Sequence, residues 1–255
     1  MFADLRRSLR KRGMVGTFRA AFRAAPFGAK CKIAVRGKHG LEIGGPSQTF
    51  QRMVPVYSSV ASLDNCVFST ETIWEGKRED GGPFNYFHGK PGRNRIVDAV
   101  ELAGVTDGEY DFILSCHSLE HIANPIKALQ NWRRVAPGYL ILILPYYRET
   151  FDHRRSPTAI EHMIEDFERN IGEDDLTHLT EAITLSDLSR LTLADGLTLD
   201  RAKELANPLD NLRNRCLHHH VFDETNAIQL LSYVGYRVLS QRLAEGSIFL
   251  LAETV

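Results

Sequence analysis

The chain has 255 residues, enough for one large domain or one domain with a sizeable insertion. Its 43% hydrophobic and 25% charged residues with a formal net charge of -1 give no global sign of a nucleic-acid partner. No apolar run has bilayer length, and Cys31, Cys66, Cys116 and Cys216, scattered with no CxxC pair, read as reduced thiols of a cytoplasmic protein.

Residues 1–38 form a basic segment, with eleven Lys or Arg and a single acid, Asp4. Leu5 and Leu9, then Met14, Phe18 and Phe22, recur at i, i+4, so the expectation is basic amphipathic helix. Three uses fit: a helical cap on the domain, an arm for an anionic membrane face or phosphorylated substrate, or a targeting segment. Arg19 and Arg23 interrupt any signal-peptide core. Peripheral contact with the inner face of a membrane would come from this segment.

From residue 39 to 255 the pattern alternates strand and helix, the mark of a parallel sheet covered on both faces. LEIGG is the first strand, VASLDN (Val60 to Asn65) the second, ending in Asp64, and RIVDAVEL holds a short third. YDFILSCH, Tyr110 to His117, is the fourth. Pro125 predicts a turn at Ala123-Asn124 and a fresh helix with proline at its first position. YLILILP, Tyr139 to Pro145, is a fifth strand with the unbroken apolar character of one buried on both faces. A polar, helical insertion of about 151–215 follows, too long for a simple crossover; its first helix is expected from Ser156 as N-cap. Strands from Tyr236 and Ser247, joined by Ala244-Glu245-Gly246, must run antiparallel. The fold class is therefore α/β: Rossmann-like and doubly wound, with a mostly parallel seven-stranded sheet, an antiparallel last strand and a helical insertion after the fifth.

In such a sheet ligands bind beyond the carboxyl ends of the strands, where strand order reverses. The first strand ends in Glu42, Gly44, Gly45 and Pro46. That lacks the GxGxxG spacing that seats a pyrophosphate on a helix N-terminus, and the acid would repel one. A carboxylate beside bare glycine backbone suits a ligand with a cationic centre.

These residues resemble the class I S-adenosylmethionine-dependent methyltransferases over roughly Gly40 to Val255, the insertion excepted. Glu42, Gly44 and Gly45 match the family's acid-x-Gly-x-Gly motif, with Pro46 departing from it. Asp64, with Asn65, matches the acid that holds the ribose hydroxyls; Asp98-Ala99 resembles the pair beside the adenine amine. The run from Tyr110 to Pro145 resembles the fourth strand, the "LEH" helix, the "RVLKPGG" turn and the fifth strand. The resemblance implies S-adenosyl-L-methionine as cofactor, held by Glu42, Gly44, Gly45, Pro46, Asp64, Asn65, Asp98, Ala99 and Ser115.

The loop Ser115-Cys116-His117-Ser118 should face the transferred methyl. A histidine there can take a proton from an attacking hydroxyl, so His117 is a candidate base for O-methylation. Asp152-His153-Arg154-Arg155 offers a second base, His153 oriented by Asp152, and two guanidiniums for an anionic acceptor. Tyr147, His162 and His219 join Arg154 and Arg155 on the expected substrate side, with Thr158, His162 and Asp166 sharing a helix face. His218 and His220 are read as surface. His117-x-x-Glu120-His121 invites a metal, but no metal is assigned. The acceptor expected is a sugar or glycan hydroxyl, anionic by the arginine pair, or else a small natural product or quinone. A cofactor-binding protein without turnover is the reading from a different class.

Overall fold

The computed structural model describes residue 22, residues 24–190 and residues 207–255. Leu5, Leu9, Met14 and Phe18 of the basic segment, and residues 191–206 of the insertion, lie outside the described residues. Within the segment, α1 (Phe27–Val35) is helical and buries Phe27, Cys31, Ala34 and Val35 against the domain.

The sheet is built from β1 (His39–Ile43), β2 (Ser62–Val67), β5 (Asn94–Ile96), β6 (Phe112–Cys116), β7 (Tyr139–Pro145), β8 (Tyr236–Ala244) and β9 (Ser247–Thr254). Their spatial order is β5-β2-β1-β6-β7-β9-β8, seven strands in one sheet. The first five strands are parallel, and β9 runs antiparallel between β7 and β8. Strand order reverses between β1 and β6, so the carboxyl ends of those two strands open the crevice where a ligand belongs. The β8–β9 connection turns through Glu245 and Gly246, both at positive φ, as the short link requires.

Both sheet faces are covered, which is why β7 is apolar at nearly every position. Leu140, Leu142 and Leu144 enter one core with Ile126, Leu129 and Trp132; Ile141 and Ile143 enter the other with Phe50, Phe112 and Phe249. Each such side chain contributes about 1.5–3 kcal/mol by leaving water. The helix over the first core, α3 (Pro125–Val135), begins where expected: Asn124 accepts from the Lys127 amide and Pro125 holds the first position.

Four local expectations are corrected. β2 runs on to Val67, so Asp64 lies mid-strand opposite Leu41 and does not end it. The third strand is the earlier Asn94–Ile96, and Asp98 lies in the loop beyond it. A small hairpin of β3 (Glu71–Thr72) and β4 (Gly76–Lys77) was not expected. In the insertion, α4 (Ile160–Glu168) starts three residues late, after Ala159 with no side-chain cap. Ser156 does not cap it, and Thr158 instead pairs with Val221 through backbone and hydroxyl. The insertion continues with α5 (Leu179–Leu185) and the short α6 (Asn211–Asn214); α7 (Glu224–Tyr233) then leads into β8 with a capping box at Asp223.

Candidate active-site cleft

Gly44 turns the chain at the end of β1 with φ +70, a left-handed conformation that favours glycine. A Cβ there would point at Ser118 Oγ, 3.2 Å away, and Glu75, so bare backbone forms the cleft edge. Behind it, Glu42 is buried and folded back. Its carboxylate accepts from Tyr57 Oη at 2.8 and 2.9 Å and from the Ser47 amide at 3.0 Å. Burial pushes its carboxyl up to about 8, against the pull of those hydrogen bonds. A Cβ on Gly45 would overlap this carboxylate at 2.4 Å, which is why Gly45 must be glycine. Glu42 and Gly45 thus brace the turn; neither lines the cleft, nor does Pro46.

Asn65 carries the brace across. Its Oδ1 accepts from the Gly45 amide at 2.8 Å, and its Nδ2 donates to Glu75 at 2.8 Å and to Asn94 at 3.1 Å. Glu75, on the β3–β4 hairpin, therefore presents a nearly buried carboxylate to the cleft, raised above its ordinary range by burial. Asp64, assigned that role from sequence, points elsewhere: it accepts from Tyr110 Oη and the Arg93 amide. Successive residues of a strand face opposite sides, so with Asn65 turned to the cleft its neighbour Asp64 is turned away from it.

The cleft holds about 650 Å³ of space when its open mouth is included. Ile43, Val67, Phe68, Ala99, Val100 and Ile122 make its apolar walls, and Glu75, Asp98, Glu173 and Arg215 are its charged groups. Asp98 and Ala99 are where expected. Asp98 accepts from the Val100 amide, and its other oxygen pairs with Arg215 at 2.9 Å. Arg215, from the end of the insertion, also reaches Glu173 at 3.0 Å and lies over the Phe68 ring. Among the described residues, three carboxylates face one guanidinium that is itself paired, a balance that repels a pyrophosphate.

At the end of β6, Ser118 and His121 line the cleft. His117 does not: its φ is +51, its ring bonds Ser247 at 3.0 Å, and its side chain is 44% exposed. Ser115 is wholly buried with an unpartnered hydroxyl. His121, in the single 3-10 turn Leu119–His121, lies in edge contact with His218 and beside Trp74. Its Nδ1 is sealed from solvent without a partner. Burial, then the neighbouring His218, holds the ring well below the ordinary histidine range.

His218 in turn meets Asp152 at 2.5 Å, and Asp152 is gripped by Arg155 at 3.0 Å. The expected Asp152–His153 pairing is thus corrected: in this tight turn the two neighbours diverge, and His153 faces Asp187. Arg154 also pairs with Asp187, and Arg155 is buried between Asp152 and Glu181. Neither guanidinium is free for an acceptor. Tyr147 stacks under Arg148 outside the cleft, His162 meets His178, and His219 bonds Asn211. His218, His219 and His220 are all buried, because their extended segment threads between the insertion and the domain. Ligating atoms of Glu120, His121 and His218 lie within 4.8 Å of one another and could hold a cation. Glu75, His218 and Arg215 are the residues sequence reasoning missed, and His121 was named there only in the pattern His117-x-x-Glu120-His121. The ETIWEGK stretch and the His-His-His run were the signals for Glu75 and His218; nothing local marks Arg215.

A family model described as a methyltransferase domain matches residues 77–143. No curated protein matches the chain. Among solved structures, a SAM-dependent methyltransferase from Aquifex aeolicus is 14% identical, covers 89% of this chain and 87% of its own, and has a TM-score of 0.46. One from Methanosarcina mazei is 12% identical, covers 89% and 97%, and has a TM-score of 0.49.

Proposed function

We propose that the chain is a class I S-adenosylmethionine-dependent methyltransferase that methylates a hydroxyl oxygen of a sugar or small-molecule acceptor seated beneath the insertion, a reading supported by the methyltransferase-domain match and the sheet order. The observation that carries this reading is His121, a buried neutral imidazole in the cleft wall, backed by His218, Asp152 and Arg155. When bound, S-adenosylmethionine supplies an electrophilic methyl group on a cationic sulfur.

The chain's own residues fit such a cofactor. Gly44 offers backbone at close range, Glu75 and Asp98 offer hydrogen-bond acceptors to a ribose diol and an adenine amine, and the apolar walls take the base. On the acceptor side, the His121 imidazole in the cleft wall takes the hydroxyl proton. The resulting imidazolium is compensated by Glu120, whose Oε2 is buried without a partner, and by the carboxylate of Asp152 behind His218. Arg155 fixes Asp152, so the array is preorganised rather than assembled on binding. An anionic acceptor loses its support, because Arg154 and Arg155 are satisfied by the protein's own acids.

The test uses cofactor labelled in the methyl group with panels of sugars and hydroxylated small molecules, followed by NMR of the product. The expected product carries its label as an O-methyl group. His121→Ala should lower turnover about 10²–10⁴-fold, the usual worth of a general base, while keeping cofactor affinity. A label on nitrogen or carbon, or unchanged turnover in His121→Ala, would refute the assignment; a folded protein that binds cofactor but transfers to nothing would mark a binding protein.

A further inference from the structure

Away from the cleft, the insertion gathers a second set of titratable groups. His162 and Asp166 sit one turn apart on α4, with Nε2 and Oδ2 3.4 Å apart. His178, at the residue before α5, brings its Nε2 to 2.9 Å from that of His162. The three ligating atoms lie within 4.8 Å of one another. Two imidazole nitrogens and a carboxylate oxygen converging from two helices is a donor set that zinc takes. Bonds of about 2.0–2.2 Å to a tetrahedral ion put ligand atoms roughly 3.3–3.6 Å apart; the 3.4 Å between His162 and Asp166 meets this, and the two imidazole nitrogens, 2.9 Å apart, have to open by a few tenths of an ångström to admit the ion.

The second observation is Asp166 itself. It is only 4% exposed, and among the described residues no N–H or O–H donates a hydrogen bond to its carboxylate. A buried carboxylate in that condition calls for a cationic partner. The groups nearest it are His162 at 3.4 Å and His220 at 3.7 Å, with Arg169 and the acids Glu165 and Asp175 acting from farther off. His220 Nε2 bonds the Ala123 carbonyl, so that ring fixes the floor of the cluster. The His162 side chain is 37% exposed, which leaves an entry path and room for a water as fourth ligand.

We propose that His162, Asp166 and His178 form a zinc site that clamps α4 to the head of α5. Between them runs the loop carrying Glu173, which accepts from the Ala123 amide and pairs with Arg215 at the cleft. The ion fixes the loop on which the cleft's closing arginine rests, and its role is separate from methyl transfer.

The test measures metal in the full chain, purified with zinc present and dialysed, by plasma mass spectrometry, for the wild type, His178→Ala, Asp166→Asn and His121→Ala. The last variant controls for the separate Glu120, His121 and His218 group. The expected result is about one zinc per chain in the wild type and in His121→Ala. His178→Ala and Asp166→Asn should bind at least about 100-fold more weakly. Folding of the variants is checked by circular dichroism. Because a variant can lose zinc by misfolding, Co²⁺ added to metal-stripped wild type gives a second reading: tetrahedral ligand-field bands support the site. Metal-free wild type that binds neither ion at micromolar concentration overturns it. So does zinc lost in His121→Ala but kept in His178→Ala.

Discussion

Glu42 shows how one side chain can be read correctly as important and wrongly as to role. An acid next to two glycines suggested contact with a cationic ligand; the structure gives the carboxylate to Tyr57 and Ser47, behind the turn. Its carboxyl rises from an ordinary 4.5 to about 8 in the fold. Between those values the folded chain holds a proton that the unfolded chain has released. Stability from this group is therefore complete below about pH 4.5 and drains away as pH rises through 8. Glu42→Gln cannot ionise, so from pH 5 to 8 the wild type should lose ground to the variant by up to about 1.4 kcal/mol per pH unit. Urea denaturation of both across that range measures this; parallel curves would contradict it. Other single residues were legible in proportion to how locally they act. Gly44, Asp98 and Ala99 are where the motif spacing put them. Asp64 faces away from the cleft because its neighbour Asn65 takes the side toward it, and one position along a strand changes the face. His218 could not be found, because its pairing with Asp152 spans 66 positions and no local pattern encodes it.

The strands and their order were readable because each carries its own signal: apolar runs for the buried parallel strands, a short link for the antiparallel pair. The helices of the insertion were less so. The Ser-Pro start predicted from Ser156 yields to a tertiary demand, since Thr158 is drawn into pairing with Val221 before α4 can begin. The β3–β4 hairpin, two residues a strand, is too short to leave a periodic signature, yet it delivers Glu75 and Trp74 to the cleft. The insertion meets that hairpin where Trp74 donates to the Asn214 carbonyl, and meets Asp98 through Arg215, which Glu173 of the insertion holds from behind. Arg215→Ala leaves two cleft carboxylates uncompensated. We expect amide exchange over residues 207–215 to quicken about 5–150-fold, the equivalent of roughly 1–3 kcal/mol, while amides of β6 and β7 keep their protection. Unchanged exchange in 207–215 would show that the arginine does not hold the insertion down.

Taken together, the molecule is a sheet whose reversal point opens a cleft, a glycine turn that lets a ligand reach its backbone, and an insertion that roofs the opening. Among the described residues no helix is long and apolar enough to cross a membrane. The charge of the cleft decides what enters it: acids predominate, and the one guanidinium is already paired. Calorimetric titration with S-adenosylhomocysteine puts this to the test, on the wild type, Glu75→Gln and Asp64→Asn. The account predicts binding by the wild type, a loss of about 1–3 kcal/mol in Glu75→Gln, and wild-type affinity in Asp64→Asn. A folded wild type that fails to bind, or a loss confined to Asp64→Asn, would contradict it.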